Sequence, residues 1–446
     1  MRFISTRDPG EPASFDEALV RGLAPDGGLY VPQEWPRLAL GELEEAAPAG
    51  LASLAAVMLR PFVAGTRLEP HLADIAAEAF SFEAPLVPLA ADGSLAVLEL
   101  FHGPTAAFKD FGARFLAASF ARLEGATTAR GAATAQGAAQ QRALTILVAT
   151  SGDTGGAVAA AFHGRPGIEV AVLYPKGLVS PTQERQLTCW GGNVRSFAVR
   201  GTFDDCQRLV KDAFLDSELA SRRRLTSANS INLGRLLPQA VYFAAASLAI
   251  SRQHGEPASF VVPAGNLGNS LACIWARRLG LPIARVVLAH NANRAVPDFL
   301  RTGEWRPRPS IATLACAMDV GNPSNMERLR ALYPDFAALG DAVEADSVDD
   351  GGIRRRIRLG YEQHGRAWCP HTAAAAEVYA RLAPERGRRG RWVIVATAHP
   401  AKFRELIEPL TGHPLDVPDT LARLLERPVS ATEIAPQLDA LRTALE

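Results

Sequence analysis

The chain has few cysteines, and they form no pattern. Five of them (Cys189, Cys206, Cys273, Cys316 and Cys369) are scattered through 446 residues without a CxxC pair. That excludes zinc-ribbon spacing and a disulfide framework, and it suits a reducing compartment. There is no excess of charge either: Lys+Arg and Asp+Glu are both 47, so the chain has no general pull towards nucleic acid or an anionic membrane. Long apolar runs are missing. The longest, "AVYFAAASLAI" from Ala240, falls far short of a bilayer span, and the start "MRFISTRDPG" has no apolar h-region. His102, His371 and His399 lie far apart with no HxxxH or HExxH spacing, and no GxSxG occurs. Neither a metal site nor a serine hydrolase is therefore expected. These absences predict a cytoplasmic protein of small-molecule chemistry, with no nucleic-acid, membrane or metal partner.

What is present is an α/β chain long enough for more than one domain. Residues 1–92 read as mostly helical: Phe15, Ala18 and Leu19 mark an amphipathic helix before the turn at 25–28, and "LASLAAVMLRPF" and "HLADIAAEAF" add two more. "SLAVLEL" then reads as a strand. Phe108, Phe111, Phe115, Leu116 and Phe120 recur at helical spacing after it, which puts Lys109 at a helix start. An Ala/Gly/Thr/Gln stretch at 124–142 reads as an exposed insertion. Two strand–loop–helix–strand units follow, one through "ALTILVAT-SGDTGG" and one through "ASFVVPA-GNLGN". Such alternation predicts parallel sheets with helices on both faces. The expected division is 1–92, a helical region; 93–255, the lysine segment with a smaller α/β lobe; and 256–446, a larger α/β lobe with a helical tail.

Four stretches carry chemistry. In "PAGNLGN" (263–269) a glycine-rich turn opens straight into a helix, gathering free N–H groups at its positive end, as phosphate requires; an ordinary tight turn would look similar. "TSGDTGG" (150–156) repeats the plan with the hydroxyls of Thr150, Ser151 and Thr154, which suit a carboxylate or second phosphate, although Asp153 or Thr154 could simply cap the helix. "SANSINLGRLLPQ" (227–239) combines Asn229 and Asn232 with Arg235, either a second anion site or a structural salt bridge. Lys109, between Phe108 and Phe111 in a chain that favours arginine, should be partly desolvated and nucleophilic unless Asp110 pairs with it. Pyridoxal phosphate acting on a phosphorylated amino acid would use all four features.

The same stretches resemble the threonine synthase family of pyridoxal 5'-phosphate enzymes nearly from end to end. The likeness is carried by "STR…DGGLYVP", "HGPTAAFKDFGARF", "TSGDTGGAVAAAF", "NSINLGRLLPQ", "PAGNLGNSLA", "CAMDVGNPSN" and "ATAHPAKF". It implies fold type II, the tryptophan synthase β-like pair of open parallel-sheet lobes, working as a monomer or homodimer. It implies that Lys109 holds the cofactor and carries the proton, that Gly265, Asn266, Leu267, Gly268 and Asn269 hold the cofactor phosphate, that Asp153 lies by the ring hydroxyl, and that Thr397 faces the ring nitrogen. For the substrate, O-phospho-L-homoserine, it implies Ser151 and Thr154 at the carboxylate and Asn229 and Arg235 at the phosphate. Phosphate would leave from Cγ and water add at Cβ, giving L-threonine. This sequence departs from the family pattern at Leu267, usually phenylalanine, at Pro238, usually a small residue, and in the longer insertion. A phospholyase releasing a 2-oxo acid would use the same residues, a dehydratase would have no use for Arg235, and a non-catalytic binding protein would not need Lys109.

Overall fold

The computed structural model describes residues 1–130, 143–382 and 389–446. Two sheets organise them. The larger has six strands in the order Glu344–Ser347, Ile283–His290, Ala258–Pro263, Arg391–Ala396, Leu95–Glu99 and Leu86–Pro88, all parallel except the last. The smaller has five parallel strands, Thr432–Ile434, Val194–Val199, Ile168–Pro175, Leu144–Ala149 and Arg224–Ser227.

Both sheets are covered on both faces, which explains their near-continuous apolar strands. On the larger sheet Val97, Val261, Val287 and Ile394 pack under the helices Asp350–His364 and Pro370–Arg381. Phe260, Val262, Leu288 and Val393 face the opposite way, into the main core with the helices Ala240–His254 and Gly268–Arg278. On the smaller sheet Leu147, Leu173 and Phe197 meet the helices Phe203–Leu215 and Leu438–Leu445. Its other face joins the main core through Ile146, Val148 and Val172, beside the helices Lys109–Arg130 and Asp153–Phe162. Among the described residues one helical stretch, Leu233–His254, is apolar and long enough to cross a membrane, but 89% of its most apolar 18-residue window is buried inside the fold.

The chain crosses between the lobes more often than the spacing of its elements suggests. Leu95–Glu99, grouped above with the smaller lobe, pairs with Arg391–Ala396 in the larger sheet. The expected helical tail contributes the strand Thr432–Ile434 to the edge of the smaller sheet. The boundaries 93–255 and 256–446 therefore cut across both sheets, because each of these strands finds its partner hundreds of residues away. The first ninety residues add a two-stranded ribbon, Phe3–Ser5 with Tyr30–Pro32, to their helices. The helix that begins at Lys109 runs on to Arg130; the rest of the 124–142 stretch, from 131, lies outside the described residues.

Candidate functional site

In parallel α/β sheets the crevice at the carboxyl ends of the strands is where loops can converge on a ligand. Six such ends do so here. The segments after Leu95–Glu99, Leu144–Ala149, Val194–Val199, Arg224–Ser227, Ala258–Pro263 and Arg391–Ala396 line one open cavity. All twelve residues that the resemblance assigns to the site line it: Lys109, Ser151, Asp153, Thr154, Asn229, Arg235, 265–269 and Thr397.

Two unusual backbone conformations shape the crevice. Among the described residues only Ala106 (φ 55°) and Leu267 (φ 62°) are non-glycine residues in the left-handed region, a strain that folds tolerate chiefly where a site needs it. Ala106 bends the loop that delivers Lys109. That loop is then fastened to the Thr397 segment, with Phe108 N donating to Thr397 O at 2.9 Å and His399 N to Ala106 O at 3.0 Å. Leu267 turns the chain into the helix Gly268–Arg278, and no side chain caps that N-terminus. Its first amides are thus left for an anion. Gly265 is forced here: a Cβ would lie 2.7 Å from Met318 Cα.

Lys109 opens its helix beside the Phe108 ring, with Nζ 5.6 Å from the centroid. Burial, with help from the cations Arg235 and Lys402, pushes its pKa down to about 8 against the opposing pull of Asp153. Asp110 does not pair with it. Its oxygens accept from Thr105 Oγ1 at 2.7 Å and Thr105 N at 2.8 Å, which locks the approach to the helix.

Among the described residues Arg235 forms no salt bridge. It is buried, its Nη1 donates to the Ala228 carbonyl, and its Nε has no partner. Burial lowers its pKa to about 10, opposed by Asp110. A guanidinium so placed has donors left with which it can pair with an anion. Asn229 spends one amide hydrogen on Ala149 O at 2.8 Å and so holds two strand ends together. Asn232 is structural: it caps the Leu233–Leu236 turn and donates to Leu19 O at 2.9 Å. Pro238 sits in a 3₁₀ turn at Leu237–Gln239 that leads into the helix Ala240–His254.

The loop after Leu144–Ala149 resolves its own ambiguity. Neither Asp153 nor Thr154 caps the helix. Thr150 Oγ1 accepts from Gly152 N at 3.0 Å and Gly155 N at 2.9 Å, and among the described residues the Ser151 and Thr154 hydroxyls have no protein partner. Asp153 is held by Lys402 Nζ at 2.7 Å and Gln183 Nε2 at 3.0 Å. Burial opposes its charge, but Lys402, Lys109 and His371 outweigh burial and keep its pKa well below the usual carboxylate range.

Several site residues were not visible in the sequence as such. Lys402 lay within a quoted motif yet carried no assigned role. His371, buried in the cavity wall, accepts from Ala317 N at 3.2 Å, and burial takes its pKa down to about 4. It is therefore a neutral ring near physiological pH. His102 binds Glu99 at 2.9 Å, and His399 accepts from Ala401 N at 3.2 Å, so the three histidines serve different places. Ser230 and Asn325 brace the 265–269 loop: Asn266 Nδ2 donates to Ser230 Oγ at 2.9 Å and Asn325 Nδ2 to Asn266 O at 2.9 Å. Asn325 is held by the buried Arg328 at 2.8 Å.

The chain is similar to known proteins along its whole length. The family described as pyridoxal-phosphate dependent enzyme matches residues 82–398, the threonine synthase N terminus matches 2–80, and the threonine synthase C-terminal family matches 372–445. The threonine synthase of Escherichia coli K12 is 37% identical, covering 99% of this chain and 98% of its own, and that of Pseudomonas aeruginosa is 33% identical, covering 98% and 96%. The crystal structure of the Escherichia coli enzyme superposes with a TM-score of 0.88 at 36% identity, covering 100% of this chain and 99% of that one. A pyridoxal-phosphate-bound threonine synthase from Brucella melitensis superposes at 0.87 with 33% identity, covering 100% and 98%.

Proposed function

Since the chain belongs to the threonine synthase family of pyridoxal-phosphate enzymes, we propose that it converts O-phospho-L-homoserine and water into L-threonine and phosphate, using the twelve residues named above. The observation that carries this reading is the meeting, in one cavity, of a desolvated lysine with two separate anion cradles. The residues fit the cofactor on physical grounds. Gly265 makes room that a Cβ would fill, the amides after Leu267 lack a cap, and Asn269 Nδ2 is buried without a partner.

Residues 265–269 would hold the cofactor phosphate, Thr397 would face the ring nitrogen with a neutral hydroxyl, and Asp153 would lie towards the ring hydroxyl. When bound, pyridoxal phosphate supplies an electron sink that makes a substrate Cα proton removable. Lys109 would hold the cofactor through its amine, and the same amine stands where it would take and return the proton at the substrate Cα. Ser151 and Thr154 orient the substrate carboxylate. Arg235 and Asn229 hold the phosphate on Cγ and stabilise its charge as it leaves. Walls of Phe108, Leu267, Met318 and Val320 limit water until it is needed at Cβ. The five cysteines, all unpaired, support a reducing cytoplasmic setting.

The test is to incubate the protein with O-phospho-L-homoserine and assay threonine, 2-oxobutyrate and phosphate together. Threonine and phosphate in equal amounts are expected, with a loss of roughly 10³-fold or more in Lys109→Ala. Oxobutyrate in place of threonine would make the protein a phospholyase, and no product would refute the substrate. Because Lys109 is a free amine only above about pH 8, cofactor capture by the cofactor-free protein should quicken about tenfold per pH unit up to that point and then level off. Stopped-flow absorbance reads this directly.

A further inference from the structure

The chain has only four lysines, Lys109, Lys176, Lys211 and Lys402, and two of them meet at this site. Elsewhere the chain meets its need for cations almost entirely with arginine, so a second buried lysine calls for a reason. Lys402 has no exposed surface. It follows the strand Arg391–Ala396 in the turn Pro400–Phe403, and its ammonium donates to Asp153 Oδ1 at 2.7 Å and to Thr105 O at 2.9 Å. Asp153 opens a helix of the smaller lobe, and Thr105 belongs to the loop that delivers Lys109. Gln183 adds a bond to Asp153 Oδ1 at 3.0 Å, and Gln186 one to Thr105 O at 3.0 Å. One compact cation thus joins both lobes and the lysine loop at a single point.

We propose that Lys402 is a positioning residue for the reaction: it pairs with and locks Asp153, so that Lys109 faces a neutralised carboxylate rather than a bare one. This rests on the reading of Lys109 as the cofactor lysine. The charged and titratable groups facing Lys109 are Asp153, Arg235, Lys402, Cys316 and His371, and those facing Asp153 are Lys402, Lys109, His371, Cys316 and Cys369. Among them Asp153 is the carboxylate, the group that favours a protonated Lys109. Lys402 is the cation bonded to it. Without Lys402, Asp153 would turn its full charge on Lys109.

The test is a pH titration of the bound cofactor's visible absorption in the holoenzyme. Lys402→Met should raise the midpoint by about one pH unit or more, and Asp153→Asn should lower it. The double variant K402M/D153N replaces a neutral pair by a neutral pair and should return the midpoint to within about half a unit of the parent. Lys402→Met should also lower kcat about tenfold with KM within about twofold, because Lys402 does not line the cavity. If Lys402→Met is too unstable to isolate, since it strands a buried carboxylate, the step from D153N to K402M/D153N measures the same effect, an upward one. A midpoint unmoved or lowered by Lys402→Met overturns the proposal, as does a double variant no closer to the parent than D153N. A fall in melting temperature without a moved midpoint assigns Lys402 a structural role only, and overturns it too. Absence of visible colour from the parent protein, or borohydride reduction that fixes the cofactor on a residue other than Lys109, overturns the cofactor reading and this inference together. Normal colour with an unmoved midpoint overturns this inference alone.

Discussion

The loops 264–269 and 150–154 both leave a buried parallel strand and open a helix, and both present amides and polar side chains to one cavity. Their bracing differs sharply. The first is held on every side: Asn266 by Ser230 and Ser324, its carbonyl by Asn325, Asn269 by Tyr242 at 2.5 Å, and Asn325 in turn by Arg328. The second is fixed at its base by Thr150 and at Asp153, and it leaves the Ser151 and Thr154 hydroxyls free. A cradle that keeps one ligand through many turnovers gains from rigidity, because little ordering remains to be done on binding. A cradle that must take and release an anion each cycle gains from donors with nothing else to hold.

The contrast can be broken most directly at Gly265. Gly265→Ala places a methyl 2.7 Å from Met318 Cα, backbone that cannot swing aside, and cofactor affinity should fall about 100-fold, as overpacking by up to ~3 kcal/mol implies. Equilibrium dialysis would read it; an affinity within threefold of the parent would mean that the braced loop is softer than its bonds suggest. Arg235→Met tests the releasing side. The KM for the phosphorylated substrate should rise about 30-fold for the loss of a charge-assisted contact, with cofactor affinity within twofold. Its melting temperature should hold or rise, since a buried guanidinium without a carboxylate is removed; a fall of several degrees would show that Arg235 is structural after all. Thr154→Val should be milder still, about tenfold in KM with the cofactor spectrum unchanged. A changed spectrum there would place Thr154 with the cofactor cradle and erase the distinction.

Much of this was legible in the sequence because it is local. A glycine turn opening a helix, a lysine among aromatics and a hydroxyl-rich loop each keep their chemistry within a few residues, and the strand–helix alternation marks both sheets. What escaped depends on distant partners. Lys402 and Asp153 are bonded at 2.7 Å across 249 positions, and a lysine near a chain's last fifth ordinarily reads as surface. Arg328 looked like one arginine among many, yet it donates to Tyr30, Ser230 and Ile231 carbonyls and joins the first region to the cradle. Leu267 in a left-handed turn was also beyond pattern reading, since nothing local favours leucine there. The lobe boundaries failed for the same reason: strand neighbours are chosen by packing, and a strand's own residues do not name its partner.

The strand Thr432–Ile434 has a consequence for the order in which the molecule can be made. A ribosome delivers Val194–Val199 early, but the edge strand that covers it arrives more than 200 residues later, roughly 10–50 s at ~5–20 residues per second. Through that interval the smaller sheet presents an open parallel edge, the kind that pairs with another chain when left bare. The final helix, Leu438–Leu445, seals the same side with Leu441 and Leu445. The last fifteen residues therefore act as a closing stitch: until they emerge, the lobe that offers Ser151 and Thr154 is unfinished, and a nascent chain cut short before them would be unfinished for good.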